Sequence, residues 1–206
     1  MDKQEMSLVL QDVRKAYRLL ADYQQRIIEM LDFIKDEILE AEHYYHDLPS
    51  SISPQSIHKI YKEQDIGKKF LPMLNMHLLW HKTQSIPNGQ SIPNGQEWQN
   101  SLKENDLVFD ISISTNESET SSALHIYVYQ CIKYTRKITW YSDVWAKKYD
   151  YPKFGSVGNF KDDLDTIEYQ IYGERIDLTE LCNEEMTRQA IEKFRKNASE
   201  KLGCVV

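Results

Sequence analysis

Residues 106–134, DLVFDISISTNESETSSALHIYVYQCIKY, contain two runs of alternating apolar and polar residues on either side of a polar segment. From Leu107 to Ile113 every second residue is apolar, and Asp110 is one of the polar residues between them. Residues 123–134 alternate in the same way and are rich in β-branched and aromatic side chains. Such alternation is typical of antiparallel strands with one solvated face. The stretch therefore predicts a β-hairpin with the polar segment as its turn.

A heptad pattern covers residues 6–42, which contain no glycine or proline. Apolar side chains recur at alternating spacings of four and three, with one polar break at Gln24; they are Val13, Tyr17, Leu20, Ile27, Leu31, Ile34 and Ile38. This spacing places them on one seam of a helix. At ~1.5 Å per residue the helix would be roughly 50 Å long, too long for a compact domain of this size to cover. We therefore expect part of the seam to contact another helix, from this chain or from a second copy.

The remaining segments predict further strands and a final helix. Residues 70–82 predict a strand with one buried face, with a short helix as the alternative, and residues 164–178 predict another strand. A short helix is expected within WYSDVWAKKY. Asn183 is a typical helix N-cap and Gly203 a typical C-cap, which predicts an amphipathic C-terminal helix between them. Residues 43–56 and 155–163 predict loops.

Strands therefore cluster between two helices instead of alternating with them. That order predicts an α+β fold with a largely antiparallel sheet of about four strands. We interpret residues 1–48 as a long helix available for oligomerisation or a partner. Residues 49–206 are interpreted as an α+β domain, and the two parts together as one structural unit.

The hexapeptide SIPNGQ occurs twice in tandem at residues 85–96. Proline and Asn-Gly favour turns, and neither copy offers an apolar face to bury. Doubling a flexible loop costs only about 0.6 kcal/mol. The repeat therefore predicts an exposed loop over residues 84–97, and we expect removal of residues 91–96 to be tolerated.

Composition excludes several classes of function. The formal net charge is −7, so a whole-protein electrostatic footprint for nucleic acid is absent. The seven glycines form neither a P-loop nor a GxGxxG sequence, and no cofactor is expected. No signal peptide or apolar run of ~20 residues occurs, and Cys131, Cys182 and Cys204 are far apart in the sequence. We expect a cytoplasmic protein with no membrane segment.

Two pairs of histidines have spacings that could serve a metal site. His43 and His46 precede Asp47 and could share an ion with it. The same residues are also expected if polar side chains simply end the helix, and we favour that interpretation. His77 and His81 are four residues apart, but a leucine occupies the position where the HExxH zinc signature requires glutamate.

Four carboxylates raise the question of nuclease chemistry; they are Asp110, Asp163, Asp165 and Glu168. Magnesium-dependent nucleases of the restriction type place an acid on one strand, then an acid and a lysine or glutamine on the next. The segment Glu168-Tyr169-Gln170 is similar to that second element, and Asp110 could supply the first acid. The lysine is missing, so we favour a solvated sheet face and assign no catalytic residue.

Residues 133–154 interleave basic and aromatic side chains. The basic candidates for nucleic-acid contact are Arg136, Lys137, Lys147 and Lys148, and the aromatic candidates for partner contact are Trp140, Tyr141, Trp145 and Tyr149. Basic groups hold phosphates and aromatic rings stack on bases, but the same residues serve protein interfaces. Core packing of the aromatic rings is the third explanation.

These patterns favour a non-enzymatic protein–protein interaction or regulatory subunit of a bacterial cytoplasmic complex. Its contacts would come from the helix seam, notably Tyr17, Leu20, Ile27, Leu31 and Ile34, and from the aromatic stretch. The alternative is a nucleic-acid-binding protein or nuclease subunit that uses residues 133–154 and the four carboxylates.

Overall fold

The computed structural model describes residues 2–47, 77–82, 98–99, 102–114, 121–147 and 151–206. In chain order its elements are helix α1 (Lys3–Phe33), strands β1 (Glu42–Asp47), β2 (His77–Lys82), β3 (Leu107–Ser114) and β4 (Ala123–Tyr134), helix α2 (Trp140–Asp143), strands β5 (Val157–Lys161) and β6 (Ile167–Asp177), and helix α3 (Glu184–Leu202). Within these ranges no helix is long and apolar enough to cross a membrane.

One antiparallel sheet joins the six described strands in the order β1-β2-β3-β4-β6-β5. The predicted α+β class, the β3–β4 hairpin, the β6 strand and the final helix are confirmed. The predicted number of strands is corrected from about four to six, because β1 and β5 lie where loops were expected. Both are edge strands that pair with one neighbouring strand. An edge strand is less buried than a central one, so it can form without the continuous apolar run that is typical of a buried strand. Residues 70–76, the predicted loop 84–97, Lys148 and Tyr149 lie outside the described residues.

Helix α1 begins at a reciprocal cap. The Asp2 carboxylate accepts hydrogen bonds from the backbone N–H groups of Gln4 and Glu5, and the Glu5 carboxylate accepts one from the Asp2 N–H. A π-helical turn, Ile34–Leu39, extends the helix, and Glu40 ends it with a φ of +51°. The helix therefore stops before residue 42. The predicted long helix over residues 1–48 is too long, since its last residues form strand β1 instead.

The two halves of α1 have different environments. Ile27, Leu31, Ile34 and Ile38 are buried in the same core as the sheet, so the helix and the sheet share one hydrophobic cluster. The N-terminal half projects from this core with its apolar side chains exposed. We call residues 3–20 the α1 overhang.

The first face of the sheet is covered by the second half of α1 and by α3. Phe194 of α3 is fully buried and stacks on Tyr172 of β6 at a ring-centroid distance of 6.2 Å. Asn183 caps α3 by accepting a hydrogen bond from the N–H of Met186, and Gly203 ends it with a φ of +70°. Burial of each large apolar side chain in this layer stabilises the fold by roughly 1.5–3 kcal/mol.

The second face of the sheet is covered over part of its length by Trp98, Leu102 and the segment around α2. Trp140 is fully buried there, and its backbone N–H donates to the Gln99 side chain. The same Gln99 oxygen accepts a hydrogen bond of 3.1 Å from the Tyr44 hydroxyl of β1. The rest of this face, towards the start of β2 and β4, forms an open cleft.

Candidate functional site

Four polar residues form a row across the second face of the sheet. His77 of β2 pairs with Ser112 of β3, Ser112 pairs with His125 of β4, and His125 pairs with Arg175 of β6. Directly opposed residues in antiparallel strands direct their side chains to the same face, with Cβ atoms ~5 Å apart. Pairing alone therefore places two imidazoles, a hydroxyl and a guanidinium side by side.

The next row along the strands contains the buried acid Asp110, whose side chain is 1% exposed. Its carboxylate accepts three hydrogen bonds, from His77 Nδ1 at 2.8 Å, Trp145 Nε1 at 2.6 Å and the Tyr151 hydroxyl at 2.5 Å. Burial of a carboxylate is costly unless such partners are present. Asp110 therefore ties β2 and the segment after α2 to the middle of the sheet.

A cleft of about 220 Å³ lies over the two rows. The described residues that line it are His77, Ser112, Ile113, Ser114, His125, Tyr127 and Tyr151. His77 is 28% exposed, so its ring reaches the cleft while Nδ1 holds Asp110.

Aromatic rings form one wall of the cleft. Tyr127 lies 4.4 Å from Tyr151 and 5.4 Å from Phe154, measured between ring centroids, and Phe154 lies 4.9 Å from His125. Gly173 makes room for this wall, because a Cβ atom there would lie 2.1 Å from Tyr127 Cδ1. Phe154 is 41% exposed, so the wall continues to the surface.

Both tyrosines of the cleft keep their protons at neutral pH. Burial, and then the nearby Asp110, raises the pKa of Tyr127 to about 12. The same two causes raise the pKa of Tyr151 well above its usual range. Their hydroxyls are therefore neutral hydrogen-bond donors at physiological pH.

The hydrogen bond between His77 and Asp110 fixes the imidazole. A carboxylate accepts, so His77 donates through Nδ1. A carboxylate behind a histidine orients the ring in this way in many catalytic and metal sites. The arrangement can hold an anion when His77 is protonated, or accept a proton when it is neutral.

The structure does not bring the four candidate carboxylates together. Glu168 lies on the face of β6 that carries Tyr172, whereas Asp110 faces the cleft. Asp110 is level with Gly173, so Glu168 is five residues away along β6 and two strands across, or roughly 20 Å. One metal ion cannot bridge that distance, since its ligands lie at ~2–2.6 Å.

The acids before β6 stabilise a turn. Asp165 adopts a positive φ of 54° and forms ion pairs with Lys133 and Lys161, while Asp163 is exposed. Burial alone would raise the pKa of Asp162, but hydrogen bonds from Thr166 and from the Ile167 N–H lower it to about 2.

The structure places His43 and His46 on β1, not at the end of a helix. His43 is exposed, and it is paired with Trp80 of β2. In the part of the chain that is described, no three histidine, cysteine, aspartate or glutamate side chains lie close enough to hold a metal ion.

The described side chains of the basic and aromatic segment, residues 133–154, lie partly in the core and partly around Asp110. Trp140 is fully buried and Trp145 donates to Asp110, while Tyr141 stacks on Trp145 at 5.1 Å. Arg136 contacts Asp143 and Asp162, and Lys147 lies 3.6 Å from Asp143; Lys137 is exposed. The Trp140 indole is therefore not available to a partner on the surface.

The prediction that Asp110 lies on a solvated strand face is wrong, because its side chain is 1% exposed. The sequence also did not connect Asp110 to His77, Tyr151 or His125. The pairing depends on strand register, which brings residues 33 positions apart into contact. The only available signal was that His77, Ser112 and His125 occupy the polar positions of three neighbouring strands.

Comparison with known proteins gives one clear relationship. The sequence profile of the PM0109 family matches residues 3–203. The uncharacterized protein PM0109 of Pasteurella multocida (strain Pm70) is 48% identical over 208 residues, which is 98% of this chain and 98% of that protein. No solved structure matches the chain. On this similarity the chain belongs to the PM0109 family.

Proposed function

We propose that this chain is a non-enzymatic interaction protein, a regulatory or structural subunit of a bacterial cytoplasmic complex, and that the α1 overhang is its docking element. One observation carries this proposal. The heptad seam runs through both halves of α1, with one polar break at Gln24, but only its second half is buried within the chain.

Exposure decreases along the seam, through the partly buried Leu20 and Gln24. Tyr17 is 70% and Val13 43% exposed, whereas Leu31 is only 4% exposed. The exposed large apolar side chains of the overhang are Met6, Leu8, Val9, Leu10, Val13, Tyr17 and Leu19. Met6, Val9, Leu10, Val13 and Tyr17 lie on one side of the helix, whereas Leu8 and Leu19 lie on the opposite side. An apolar cluster such as the first five is typical of an interaction surface.

The occupant that we propose is the overhang of a second copy. The apolar stripe of the overhang continues the stripe that already packs on the sheet, so its spacing suits a helical partner along its whole length. Twofold pairing of identical patches is the commonest symmetry of soluble oligomers. Residues 3–20 carry four basic and two acidic side chains, so repulsion between two overhangs is small and is screened over ~8 Å at physiological ionic strength.

The expected affinity is moderate. The five exposed side chains on the seam side of each overhang, at about 1 kcal/mol each, give on the order of 10 kcal/mol for the pair. Association costs about 4–15 kcal/mol, so the dissociation constant should lie in the micromolar range or weaker.

Sedimentation velocity from ~1 to ~500 µM tests this self-association. The double variant Val13→Glu/Tyr17→Glu places two charges on the seam and should remain monomeric. Its melting temperature should equal that of the wild type at ~1 µM, where both are monomeric, because neither residue is in the core. The matched control Gln11→Glu adds a charge on the other side of the helix and should still dimerise. A wild-type chain that stays monomeric throughout, or a seam variant that dimerises like the control, contradicts the proposal.

The alternative function, nucleic-acid binding, has weaker support. Lys137 is exposed, but Arg136 and Lys147 are already close to carboxylates, which lowers the charge that they can offer to phosphates. Binding of single-stranded and double-stranded DNA and RNA at low salt, lost in Lys137→Glu, would favour this function over the first.

A further inference from the structure

The position of the sheet beside α1 limits the direction in which two overhangs can pair. We propose that they pair antiparallel about a twofold axis, so that residue 3 of one copy lies beside residue 20 of the second copy and the two sheet domains are held at opposite ends of the pair. The antiparallel pair rests on the self-association proposed above and adds its geometry. Three features of the chain support it: the space beside the seam, the length of the overhang and the residues on the two flanks of the seam.

The sheet and α3 block a parallel arrangement. Helix α1 continues without a break from the overhang to Phe33, and from Ile27 onwards the seam is buried in the core that contains Phe109 and Phe194. In a parallel pair, the second half of the partner's α1 would run along this same side of the helix. Protein interiors are packed as densely as organic crystals, so no room for a further helix exists there. Two overhangs that meet along the seam therefore cannot run in the same direction.

The length of the overhang suits an antiparallel partner. Residues 3–20 span roughly 27 Å at ~1.5 Å per residue, and the helix of the second copy would begin beside residue 20, just before the seam becomes buried. Met6 and Leu10 continue the heptad spacing of Val13 and Tyr17 towards the N-terminus. In this register Met6 lies beside Tyr17 of the second copy, and Leu10 beside Val13. All four side chains are exposed in the single chain, so the pair covers the whole exposed part of the seam.

The two flanks of the seam favour the same direction. Val9 and Ala16 lie on one flank, and Ser7 and Arg14 lie on the other. An antiparallel pair brings identical flanks together, so Val9 meets Ala16 of the second copy and Arg14 meets Ser7. A parallel pair brings opposite flanks together and would place the Arg14 guanidinium against Val9, where it loses hydration without gaining a hydrogen-bond partner. The antiparallel pair therefore keeps apolar and polar contacts apart.

The antiparallel pair separates the two sheet domains. The midpoint of residues 3–20 lies between residues 11 and 12, so Ile27, where burial begins, is about 23 Å from it along the helix. By the twofold symmetry, the two domains begin about 46 Å apart. The complex is therefore an elongated spacer that presents two copies of the sheet domain at a fixed separation.

A distance measurement between nitroxide spin labels on the native Cys182 tests the direction. Cys182 is exposed, and the Arg26 guanidinium donates to its backbone carbonyl oxygen, so Cys182 lies close to the level of residue 26 of α1. In a Cys204→Ser chain the label is confined to Cys182, because Cys131 is buried. At a protein concentration where sedimentation shows the dimer, the antiparallel pair should give a distance of roughly 45–50 Å. A parallel pair would give a distance below about 30 Å.

Disulfide trapping gives a second and independent measurement. Met6→Cys and Tyr17→Cys chains, in which Cys182 and Cys204 are replaced by serine, are mixed in a glutathione redox buffer. The mixture should form a cross-linked dimer, because the antiparallel pair places these two positions side by side. Each chain alone should remain largely uncross-linked, since the two copies of either position are about 17 Å apart along the helices, which is beyond the reach of a disulfide. The matched control Gln11→Cys lies on the other side of the helix and should not cross-link with Met6→Cys.

The outcomes separate the direction of pairing from self-association itself. A dimer with a short Cys182 distance, or Met6→Cys chains that cross-link with each other as well as they do with Tyr17→Cys, overturns the antiparallel pair and leaves the self-association standing. A chain that sedimentation shows to be monomeric at every concentration overturns both.

Discussion

The buried histidine His81 should make the stability of this protein sensitive to mild acid. Its side chain is 1% exposed and stacks on Trp98 at a centroid distance of 4.8 Å, with the two planes 11° apart. Burial, and then the charge of His43, lowers the pKa of His81 to about 4. The variant His81→Phe keeps a stacking ring and removes the titration, so it isolates this effect.

The magnitude follows from the two pKa values of His81. In the unfolded chain the pKa returns to about 6.5, so between pH 6.5 and 4 the unfolded state binds more protons than the folded state. Stability is therefore complete above the unfolded pKa and falls as the pH drops through this window. The loss attributable to His81 is about 2 kcal/mol between pH 7 and pH 5, and about 3 kcal/mol by pH 4. Asp162 and Asp177, each with a folded pKa of about 2, lose their contributions only below about pH 4.

Urea unfolding at pH 7 and pH 5, followed by tryptophan fluorescence, measures this difference. The wild type should lose about 2 kcal/mol more than His81→Phe between the two pH values, because the contributions of the other histidines are common to both proteins and cancel. The control His43→Gln alters an exposed histidine and should keep most of the wild-type loss. Equal losses in the wild type and in His81→Phe would refute the reasoning.

Two further substitutions test the packing of the sheet faces. Gly173→Ala should destabilise the fold by about 1–3 kcal/mol through contact with Tyr127, and Tyr127→Ala in the same chain should relieve much of that cost in a double-mutant cycle of urea unfolding. Additive losses would show that the two residues do not clash. Phe194→Ala removes a fully buried ring and should cost about 3–5 kcal/mol, whereas Leu164→Ala, at a side chain that is 73% exposed, should change the free energy of unfolding by less than about 0.5 kcal/mol.

Local patterns predicted the elements whose stabilising contacts are local. The β3–β4 hairpin and α3 were identified because alternation, Asn183 and Gly203 are all visible within a short window of sequence. Strands β1 and β5 were missed for the opposite reason. Each of them forms because a neighbouring strand supplies backbone hydrogen-bond partners. The sequence of neither strand shows the apolar alternation that would have predicted it.

The candidate site was less predictable than the fold because it depends on register. A slip of one residue between β2 and β3 would direct His77 to the other face from Asp110. No short-range spacing encodes that alignment. Trp145 and Tyr151 add a second difficulty, since they approach Asp110 from a segment 35 or more positions away.

The heptad spacing of α1 predicts which side of the helix is apolar, but it does not predict which part of that side is buried. All of its positions follow the same spacing, yet Ile27 and Leu31 are buried while Val13 and Tyr17 are not. The difference comes from length, since a helix of 31 residues spans ~46 Å and extends past the layer formed by the sheet and α3. Heptad spacing selects the side of the helix that will be buried, and only the dimensions of the packed layer decide how much of that side remains for a partner. The exposed half therefore follows from the length of the helix relative to the layer on which it packs. A chain with the same heptad spacing but a helix about twelve residues shorter would lose most of the exposed apolar surface and would keep its core.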